Sequence, residues 1–272
     1  MNATEGTRQG SMQEEYIEFS PDTNRLWDKR YLLHVQDITA VFDGFKALDI
    51  GALGIAHNEL RVIIGPNGAG KTTLCDVISG KTQPTTGKVH FDGEEITHRK
   101  ETDIALMGIG RKFQTPTVFD SLTTFENMEL SLPGNQKLWP NLWSKVTDEQ
   151  RDKIHGILNR VNLLQQAETP AKYLSHGQRQ WLAISVLILA SPKLLLVDEP
   201  AAGLTDSETE LTAQLLSELK GDHTLIVIEH DMDFVRQLNS TVTVLNEGKV
   251  MAEGPLEEVQ QNKEVIEAYL GR

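Results

Sequence analysis

The sequence comprises 272 residues with a mass of 30.3 kDa, which leaves room for one large domain or two small ones. Apolar residues make up 39% and charged residues 24%, so disorder along the whole chain and collagen-like repeats are excluded. The formal net charge of −13 lacks the basic excess of a general nucleic-acid binder, and we expect no nucleic-acid partner.

The N-terminal segment differs in composition from the rest of the chain. Residues 1–30 are polar and show no sustained period, which indicates a flexible extension, with a docking arm as the alternative. They contain no apolar stretch of the kind that marks a secretory signal. After this segment, residues 33–36 and 38–42 predict β-strands that a turn follows. We therefore expect the main domain to span residues 31–272.

A glycine-rich motif follows the short apolar strand predicted at residues 61–64. Residues 65–72 read GPNGAGKT, which matches G-x-x-x-x-G-K-[ST] without a gap, and residues 71–78 predict the helix that this motif requires. Backbone N–H groups of such a loop surround a phosphate chain, and the positive end of the helix dipole faces the anion. A chance match in a glycine-rich turn is the alternative, which the flanking strand and helix disfavour.

This motif predicts a binding site for the phosphates of a nucleotide. Lys71 would contact the β- and γ-phosphates, and the Thr72 hydroxyl would bind Mg²⁺. The residues expected to contact the nucleotide are Gly65, Pro66, Asn67, Gly68, Ala69, Gly70, Lys71, Thr72 and Thr73. The following helix carries the only cysteine, Cys75, for which a buried core thiol is expected. A single cysteine excludes an intrachain disulfide and suits a reducing compartment.

Residues 115–190 lack strand patterns and predict a helical insertion in an α/β core. The longest apolar run, residues 182–190, is far shorter than the roughly 20 residues that cross a bilayer. We therefore expect no membrane span in this chain. Trp139 and Trp143 are candidate docking residues for a partner, with packing inside the insertion as the alternative.

The last third of the chain predicts alternating strands and helices. Continuous apolar runs at residues 194–197 and 225–228 are typical of strands that are buried on both faces of a parallel sheet. A helix predicted at residues 206–220 separates them, which favours a layered α/β core. The elements predicted after them are a hairpin of residues 241–245 and 249–252 and one closing amphipathic helix, residues 256–270.

Two carboxylates follow directly after the strand predicted at residues 194–197. The carboxyl ends of parallel strands are where α/β folds bind ligands, so Asp198 and Glu199 are expected beside the nucleotide. Asp198 would help to hold Mg²⁺, which keeps part of its water shell. Glu199 would activate a water molecule as general base, a contribution of about 10²–10⁴ in rate. A solvated turn is the alternative, which the nearby phosphate loop disfavours.

Further motifs make the chain resemble the ATP-binding subunits of ABC transporters. Residues 174–178 read LSHGQ and resemble the signature of that family, which is usually LSGGQ. Gln114 resembles the Q-loop glutamine, His230 the switch histidine, and Phe42 the aromatic residue that stacks on adenine. The resemblance covers nearly all of residues 31–272. It implies an α/β P-loop NTPase core with a mostly parallel sheet, an antiparallel β subdomain and a helical subdomain.

The resemblance also implies that two ATPase subunits, identical or different, pair head to tail. Each ATP would lie between the phosphate loop of one subunit and Ser175, Gly177 and Gln178 of the other. Because the signature begins a helix, the positive end of that helix dipole would face the γ-phosphate.

The resemblance assigns catalytic roles as well. Glu199 would be the base, His230 would hold the γ-phosphate and the attacking water, and Gln114 would sense Mg²⁺ and link the site to the helical insertion. The implied magnesium ligands are Thr72, Gln114 and Asp198. Phosphoryl transfer depends mainly on positioning and charge stabilisation, which these residues would supply.

Two positions depart from the family pattern. His176 replaces the second glycine of the signature and would either adjust the dimer contact or point outward. Thr205 stands where an aspartate is common in the D-loop, residues 201–206. This departure leaves Asp206 as the alternative for communication across the dimer.

The resemblance extends to one group within the family. Residues 198–204 read DEPAAGL and, with the context of Phe113 and Gln114, are similar to importers of branched-chain amino acids and amides. His176 and the ending VIEAYLG at residues 265–271 resemble most the ATPase of urea importers. We therefore expect urea import. The alternatives are a branched-chain amino acid importer and a soluble ABC ATPase for iron–sulfur cluster assembly.

A subunit of this kind would act together with separate chains. The resemblance implies transmembrane permease subunits, which the helical insertion would contact, and indirectly a solute-binding protein. The expected location is cytoplasmic, peripheral on the inner face of the plasma membrane.

Overall fold

The fold was analysed in a computed structural model, which describes residues 30–112, 118–132 and 146–270. Two β-sheets and a set of α-helices make up most of these ranges. In chain order the elements are β1 (Tyr31–Phe42), β2 (Phe45–Ala56), β3 (Leu60–Ile64), α1 (Lys71–Ile78), β4 (Thr86–Phe91), β5 (Glu94–Glu95), α2 (Glu101–Met107), β6 (Ile109–Lys112), α3 (Thr124–Glu129), α4 (Asp148–Arg160), α5 (His176–Leu189), β7 (Leu194–Asp198), α6 (Asp206–Leu219), β8 (Thr224–Ile228), α7 (Met232–Leu238), β9 (Thr241–Asn246), β10 (Lys249–Gly254), α8 (Leu256–Val259) and α9 (Lys263–Leu270).

The larger sheet has the strand order β10-β9-β3-β8-β7-β6, and its neighbouring strands are parallel except for the edge pair of β10 and β9. Every residue of β3, β7 and β8 is buried. Successive residues such as Val62 and Ile63 belong to different hydrophobic clusters, one with the helices α4 to α7 and one with α1 and the smaller sheet. Burial on both faces explains the continuous apolar runs, and the predicted mostly parallel sheet is confirmed.

The smaller sheet is antiparallel, with the strand order β2-β1-β4-β5. The two strands predicted at residues 33–36 and 38–42 form the single strand β1. Asp37 adopts φ +49° at a β-bulge, where the register with β4 shifts but the strand continues. Val35 and Ile38, on either side of this bulge, are both fully buried in the same hydrophobic cluster. The smaller sheet therefore covers α1 and one face of the larger sheet.

Gly87 lies opposite the bulge, and we expect Gly87→Ala to lower the free energy of unfolding by more than about 1 kcal/mol. Its φ is +90°, and an added Cβ would overlap the backbone oxygens of Asp37 and Gln36. Gly51 in β2 is the matched control, because its Cβ would meet no described atom within 4 Å. Chemical denaturation measures both variants. A loss as large for Gly51→Ala as for Gly87→Ala would contradict this packing of β4 on β1.

The described part of the segment between β6 and β7 is helical. Its described residues form α3, α4 and α5, with no strand of either sheet among them. The N-cap residues Thr123, Thr147 and Ser175 each complete a capping box, which stabilises the starts of these helices. Trp181 on α5 donates from Nε1 to Thr212 Oγ1 on α6 at 2.9 Å. This buried hydrogen bond joins the helical segment to the α/β core.

The prediction of one closing helix at residues 256–270 is wrong, because the chain forms α8 and α9 with a short break between them. The backbone N–H groups of Glu264 and Val265 donate to Asn262 Oδ1 at 2.9 and 3.4 Å. Asn262 therefore begins a new helix by capping it instead of continuing the first one. The apolar period spans the break because Val259 and Val265 are buried in the same hydrophobic cluster.

Part of the predicted N-terminal extension, residues 1–29, lies outside the described ranges, as do Gln114, Trp139 and Trp143. Within the described ranges, no helix combines the length and the apolar character that crossing a membrane requires. Cys75 is a buried thiol, and burial raises its pKa to about 12. This agrees with the expectation of a core residue that does not react.

Candidate active site

Three predicted motifs meet at one edge of the larger sheet. The strands β3, β8 and β7 are neighbours, and the phosphate loop, His230 and Glu199 follow their carboxyl ends. Glu199 N–H donates to Ile228 O at 3.0 Å, and Glu229 N–H donates to Ile63 O at 3.2 Å. These backbone bonds hold the three strand ends together. The edge is the one where open parallel sheets bind ligands.

The loop between β3 and α1 follows a path that most side chains would block. Gly68 and Gly70 have φ values of +81° and +100°, which favour glycine. A Cβ at Gly65 would overlap the backbone oxygen of Leu245, and a Cβ at Gly70 would lie 2.6 Å from Ala47 O. The glycines are therefore needed because the loop passes against β9 and the start of β2.

Lys71 begins α1 and folds back over this loop. Its Nζ donates to the carbonyl oxygens of Gly65 and Pro66 at 2.7 and 3.1 Å, and the residue is 9% exposed. Burial lowers the pKa of the ammonium group, while the negative charges of Glu199, Asp198 and Glu229 oppose this change. The positive charge thus lies at the loop and near the carboxylates that follow β7 and β8.

Asp198 is the last residue of β7 and is 4% exposed. Among the described residues, its Oδ1 has no hydrogen-bond partner. Burial raises the pKa of this carboxyl, and the Arg111 guanidinium opposes the change. A buried carboxylate oxygen without a partner fits a cation ligand. A carboxylate oxygen is a hard donor of the kind that Mg²⁺ prefers, and Thr72, the other predicted ligand in the described ranges, lies in the first turn of α1.

Glu199 and His230 form the exposed part of this edge. Glu199 has a left-handed backbone conformation with φ +46°, which is uncommon for residues other than glycine. Its Oε1 lies 3.6 Å from Nδ1 of His230, and the two side chains are 25% and 61% exposed. Residues in such strained conformations concentrate at functional sites. The pair presents a carboxylate and an imidazole side by side at the surface.

The sequence analysis missed two charged residues at this edge. Lys112 ends β6, and burial lowers its pKa to about 8, opposed first by the charge of Asp198. Glu229 is 1% exposed, and burial raises its pKa, while backbone N–H donors partly offset the rise. For Glu229 the available signal was a charge directly after the apolar strand β8, whereas the strand that Lys112 ends has no apolar run.

The signature residues form the start of α5. Ser175 Oγ accepts the backbone N–H of Gln178 at 3.2 Å, and the Gln178 side chain accepts the N–H of Ser175 at 2.9 Å. Ser175 Oγ also donates to Glu208 Oε1 at 3.3 Å. A Cβ at Gly177 would overlap the same carboxylate. Glu208, a further residue that the sequence analysis missed, therefore ties the signature to α6, and a side chain at position 177 would have to displace its carboxylate.

The two positions that depart from the family pattern make contacts within their own chain. His176 Nε2 lies 3.2 Å from the carbonyl oxygen of Ala202 in the D-loop. Thr205 is the N-cap of α6, and its Oγ1 accepts the backbone N–H of Glu208 at 3.4 Å. The His176 contact connects the signature with the D-loop, and the Thr205 contact caps α6.

The remaining candidates stand on elements other than β3, β7 and β8. Phe42 stands at the turn between β1 and β2, opposite Phe45, and the two residues are 46% and 66% exposed. The described hydrogen-bond partners of Ser175 and His176 lie on α5, on α6 and in the D-loop, not in the phosphate loop.

Comparison with known proteins identifies the family. Residues 48–202, more than half of the chain, match the family model described as ABC transporter. The chain belongs to the ABC transporter family. Residues 249–272 also match a model described as branched-chain amino acid ATP-binding cassette transporter.

Relatives of this ABC cassette cover nearly its whole length. It is 35% identical to the branched-chain amino acid transport ATP-binding protein BraF of Pseudomonas aeruginosa, over 89% of this chain and 98% of the relative. Identity to LivG of Escherichia coli, also a branched-chain amino acid transport ATP-binding protein, is 34% over 88% of this chain and 98% of LivG.

Solved structures share its fold. A nucleotide-free ATP-binding cassette from an ABC transporter is 30% identical with a TM-score of 0.78, covering 89% of this chain and all of that one. A dimeric ATP-binding cassette bound to ADP and Pi is 27% identical with a TM-score of 0.71, covering 82% of this chain and 98% of that one.

Several predictions from the sequence are thereby confirmed. The fold is that of the ABC ATPase cassette, and the chain is an ATP-binding subunit of an ABC importer. Members of this family bind ATP and hydrolyse it to power transport, and importer subunits of this kind work as dimers with separate permease components. The prediction of urea as cargo gains no support, because the relatives are branched-chain amino acid transport proteins.

Proposed function

We propose that this ABC cassette hydrolyses ATP at the phosphate loop with Glu199 as the base, as the energising subunit of an importer for branched-chain amino acids. One observation carries the site: the phosphate loop, a buried oxygen of Asp198 without a hydrogen-bond partner among the described residues, and the pair of Glu199 and His230 at 3.6 Å share one sheet edge. The cargo rests on the relatives, which are branched-chain amino acid transport proteins.

ATP binding in this proposal depends on the loop and on Phe42. Backbone N–H groups of residues 65–73 surround the phosphates, and the positive end of α1 faces the same anion. Lys71 exchanges its carbonyl contacts in the loop for phosphate oxygens, which carry a full negative charge. Phe42 stacks on adenine, which its exposure at the hairpin turn permits.

A magnesium site is part of the same proposal. Asp198 and the Thr72 hydroxyl hold the cation, with Gln114 as the predicted third ligand outside the described ranges. When bound, Mg²⁺ neutralises charge on the phosphate oxygens. The structural feature that supports this assignment is the buried Asp198 oxygen, which has no hydrogen-bond partner in the part of the chain that the structure describes.

The chemical step is hydrolysis of the terminal phosphoanhydride bond. Glu199 accepts a proton from the attacking water, whose oxygen bonds to the γ-phosphorus. The bond from that phosphorus to the bridging oxygen of the β-phosphate breaks, which releases ADP and inorganic phosphate. His230, beside Glu199, orients the water and contacts the γ-phosphate. Positioning and charge supply most of the catalysis in phosphoryl transfer.

A second subunit completes the site in this proposal. Ser175, Gly177 and Gln178 of one subunit contact the γ-phosphate held by the phosphate loop of the other. Ser175 caps α5, so the N-terminal N–H groups and the helix dipole favour an anion there. A related cassette whose structure is dimeric supports this arrangement.

Ser175→Ala is expected to lower kcat at least about tenfold while ATP binding to the isolated subunit stays unchanged, because one hydrogen bond to a charged phosphate is lost. Steady-state hydrolysis and equilibrium binding of ATP measure the two effects. Thr147→Ala is the matched control, since it removes the capping-box residue of α4 away from the site. Equal kcat values for both variants would contradict a role of Ser175 in the composite site.

The cargo is less closely constrained than the ATPase activity. The relatives support branched-chain amino acids over urea and over iron–sulfur cluster assembly. Urea remains the second candidate because His176 and the ending at residues 265–271 resemble urea-importer ATPases. In either case the subunit acts on the cytoplasmic face of the membrane, bound to permease chains and served by a solute-binding protein.

Uptake by living cells tests the cargo. Cells without this gene would be supplied with the wild-type gene or with Glu199→Gln, and uptake of labelled leucine and labelled urea would be measured side by side. We expect only the wild-type gene to restore leucine uptake. If the wild-type gene restores only urea uptake, urea is favoured as the cargo. If it restores neither uptake, both cargo assignments are contradicted.

A further inference from the structure

Glu229 precedes His230 in the loop after β8, and its side chain contacts the loop that carries Glu199. It directly follows β8 and is 1% exposed, so its carboxylate is withdrawn from solvent. Burying a carboxylate is costly unless several donors satisfy it, and a residue of this kind needs a structural or functional reason. No motif and no proposed step in hydrolysis includes Glu229.

Each carboxylate oxygen of Glu229 bonds to a different loop. Oε1 accepts the backbone N–H of Ala201, two residues after Glu199, at 2.9 Å. Oε2 accepts the N–H groups of His230 and Asp231 at 3.0 and 3.4 Å. The carboxylate therefore bridges the loop after β7 and the loop after β8 through their backbones.

This bridge joins the two loops whose separation sets the distance between Glu199 and His230. Glu199 Oε1 lies 3.6 Å from His230 Nδ1, and Glu229 Oε2 lies 3.9 Å from the same nitrogen. Glu199 is also held in a left-handed conformation, which persists only where surrounding contacts enforce it. The Glu229 contact with Ala201 lies two residues after that strained residue and restrains the chain there.

We propose that Glu229 is a positioning residue for ATP hydrolysis, which holds the loops of Glu199 and His230 at a fixed separation. This inference rests on the proposed roles of those two residues. Only a carboxylate meets the requirement, because both of its oxygens must accept N–H groups at the same time. Glutamine has the same shape but offers one acceptor oxygen, and its amide nitrogen would face an N–H donor.

Glu229→Gln is therefore expected to lower kcat while the KM for ATP stays unchanged. A displacement of about 1 Å at a reacting group costs on the order of 10²-fold, and we expect a loss between about 10- and 100-fold. The assay is ATP hydrolysis by the full-length protein with its transport partners, together with thermal unfolding of each variant. Glu229→Asp keeps the charge but shortens the reach, so it is expected to lose kcat as well.

Glu253→Gln is the matched control. Glu253 accepts a hydrogen bond from Thr243 Oγ1 at 2.7 Å and pairs with Arg61 on the edge of the sheet away from Glu199. Its replacement removes a hydrogen-bonded carboxylate without touching the catalytic loops. We expect it to lower the unfolding temperature and to leave kcat unchanged.

A double-mutant cycle with His230→Ala separates positioning from general stability. Since Glu229 acts partly through His230, the loss from Glu229→Gln should be at least about threefold smaller in the His230→Ala background, measured in single-turnover reactions. An unchanged kcat in Glu229→Gln, or equal losses of kcat in both backgrounds, would overturn this inference but not the proposed function. Absence of hydrolysis in the wild-type protein would overturn the proposed function as well.

Discussion

Replacing Glu199 by glutamine is expected to stop ATP turnover while ATP remains bound. The amide cannot accept the proton of the attacking water, and loss of general-base assistance costs about 10²–10⁴ in rate. The side chain keeps its size, so the loop that Glu229 holds should keep its shape. Release of inorganic phosphate measures turnover, and retention of labelled ATP on the protein measures binding.

Glu218→Gln is the control for this variant. Glu218 is an exposed carboxylate on α6 that pairs with Arg160, at 3.4 Å between Oε2 and Nε. It is not part of the site, so its replacement should leave both turnover and ATP retention at wild-type values. Near-normal phosphate release by Glu199→Gln would show that Glu199 is not the base. The loss of both turnover and binding would instead indicate a damaged nucleotide site.

Lys71→Ala is expected to weaken ATP binding by about 10- to 100-fold, because a hydrogen bond to a charged group contributes about 1.5–3 kcal/mol. The lysine is nearly buried, and its Nζ already lies within the loop, 2.7 Å from Gly65 O. Removing it leaves the phosphates without their nearest cation in the loop. Equilibrium titration with ATP in the presence of Mg²⁺ gives the dissociation constant.

Lys81→Ala provides the matched control for the lysine. Lys81 follows α1 and pairs with Asp76 at 3.5 Å, and its side chain is 49% exposed. Lys81 carries the same charge as Lys71. It lies after the C-terminal end of α1, whereas the phosphate loop lies at the N-terminal end. We expect wild-type affinity for this control. An ATP affinity that Lys71→Ala leaves unchanged would show that the phosphates bind elsewhere.

The parts of the fold with local sequence signals could be predicted. The helix after the phosphate loop spans the predicted residues 71–78, and the strands β7 and β8 each extend the predicted run by one residue. Continuous apolar residues mark these strands because both of their faces are buried. The glycine loop could be predicted because few residues other than glycine can adopt its backbone path.

Elements that depend on tertiary contacts could not be predicted in the same way. The strand β6 reads IGRK and lacks an apolar run, although it pairs in parallel with β7. Its Arg111 is tolerated there because Nη1 lies 2.5 Å from Asp76 Oδ1 on α1. The break between α8 and α9 depends on a side-chain cap at Asn262, which interrupts a continuous apolar period.

The candidate site also contains some residues that the sequence could predict and others that depend on tertiary contacts. The place of Glu199 could be predicted because it follows a buried strand, and that of His230 because it resembles the switch histidine of the family. Neighbouring parallel strands bring such positions to one edge. Glu208 and Glu229 could not be predicted, because their partners are distant in sequence. Glu208 bonds to Ser175 across 33 positions, and Glu229 bonds to Ala201 across 28 positions. Only the folded chain reveals that each carboxylate links two motifs.

A crystal structure of the Glu199→Gln protein with ATP and Mg²⁺ tests the central claim most directly. The account predicts the triphosphate in the loop of residues 65–72, with the Asp198 carboxylate at the cation and Ser175 of a second subunit at the γ-phosphate. A nucleotide bound outside this loop, or a γ-phosphate that only one subunit contacts, would contradict it.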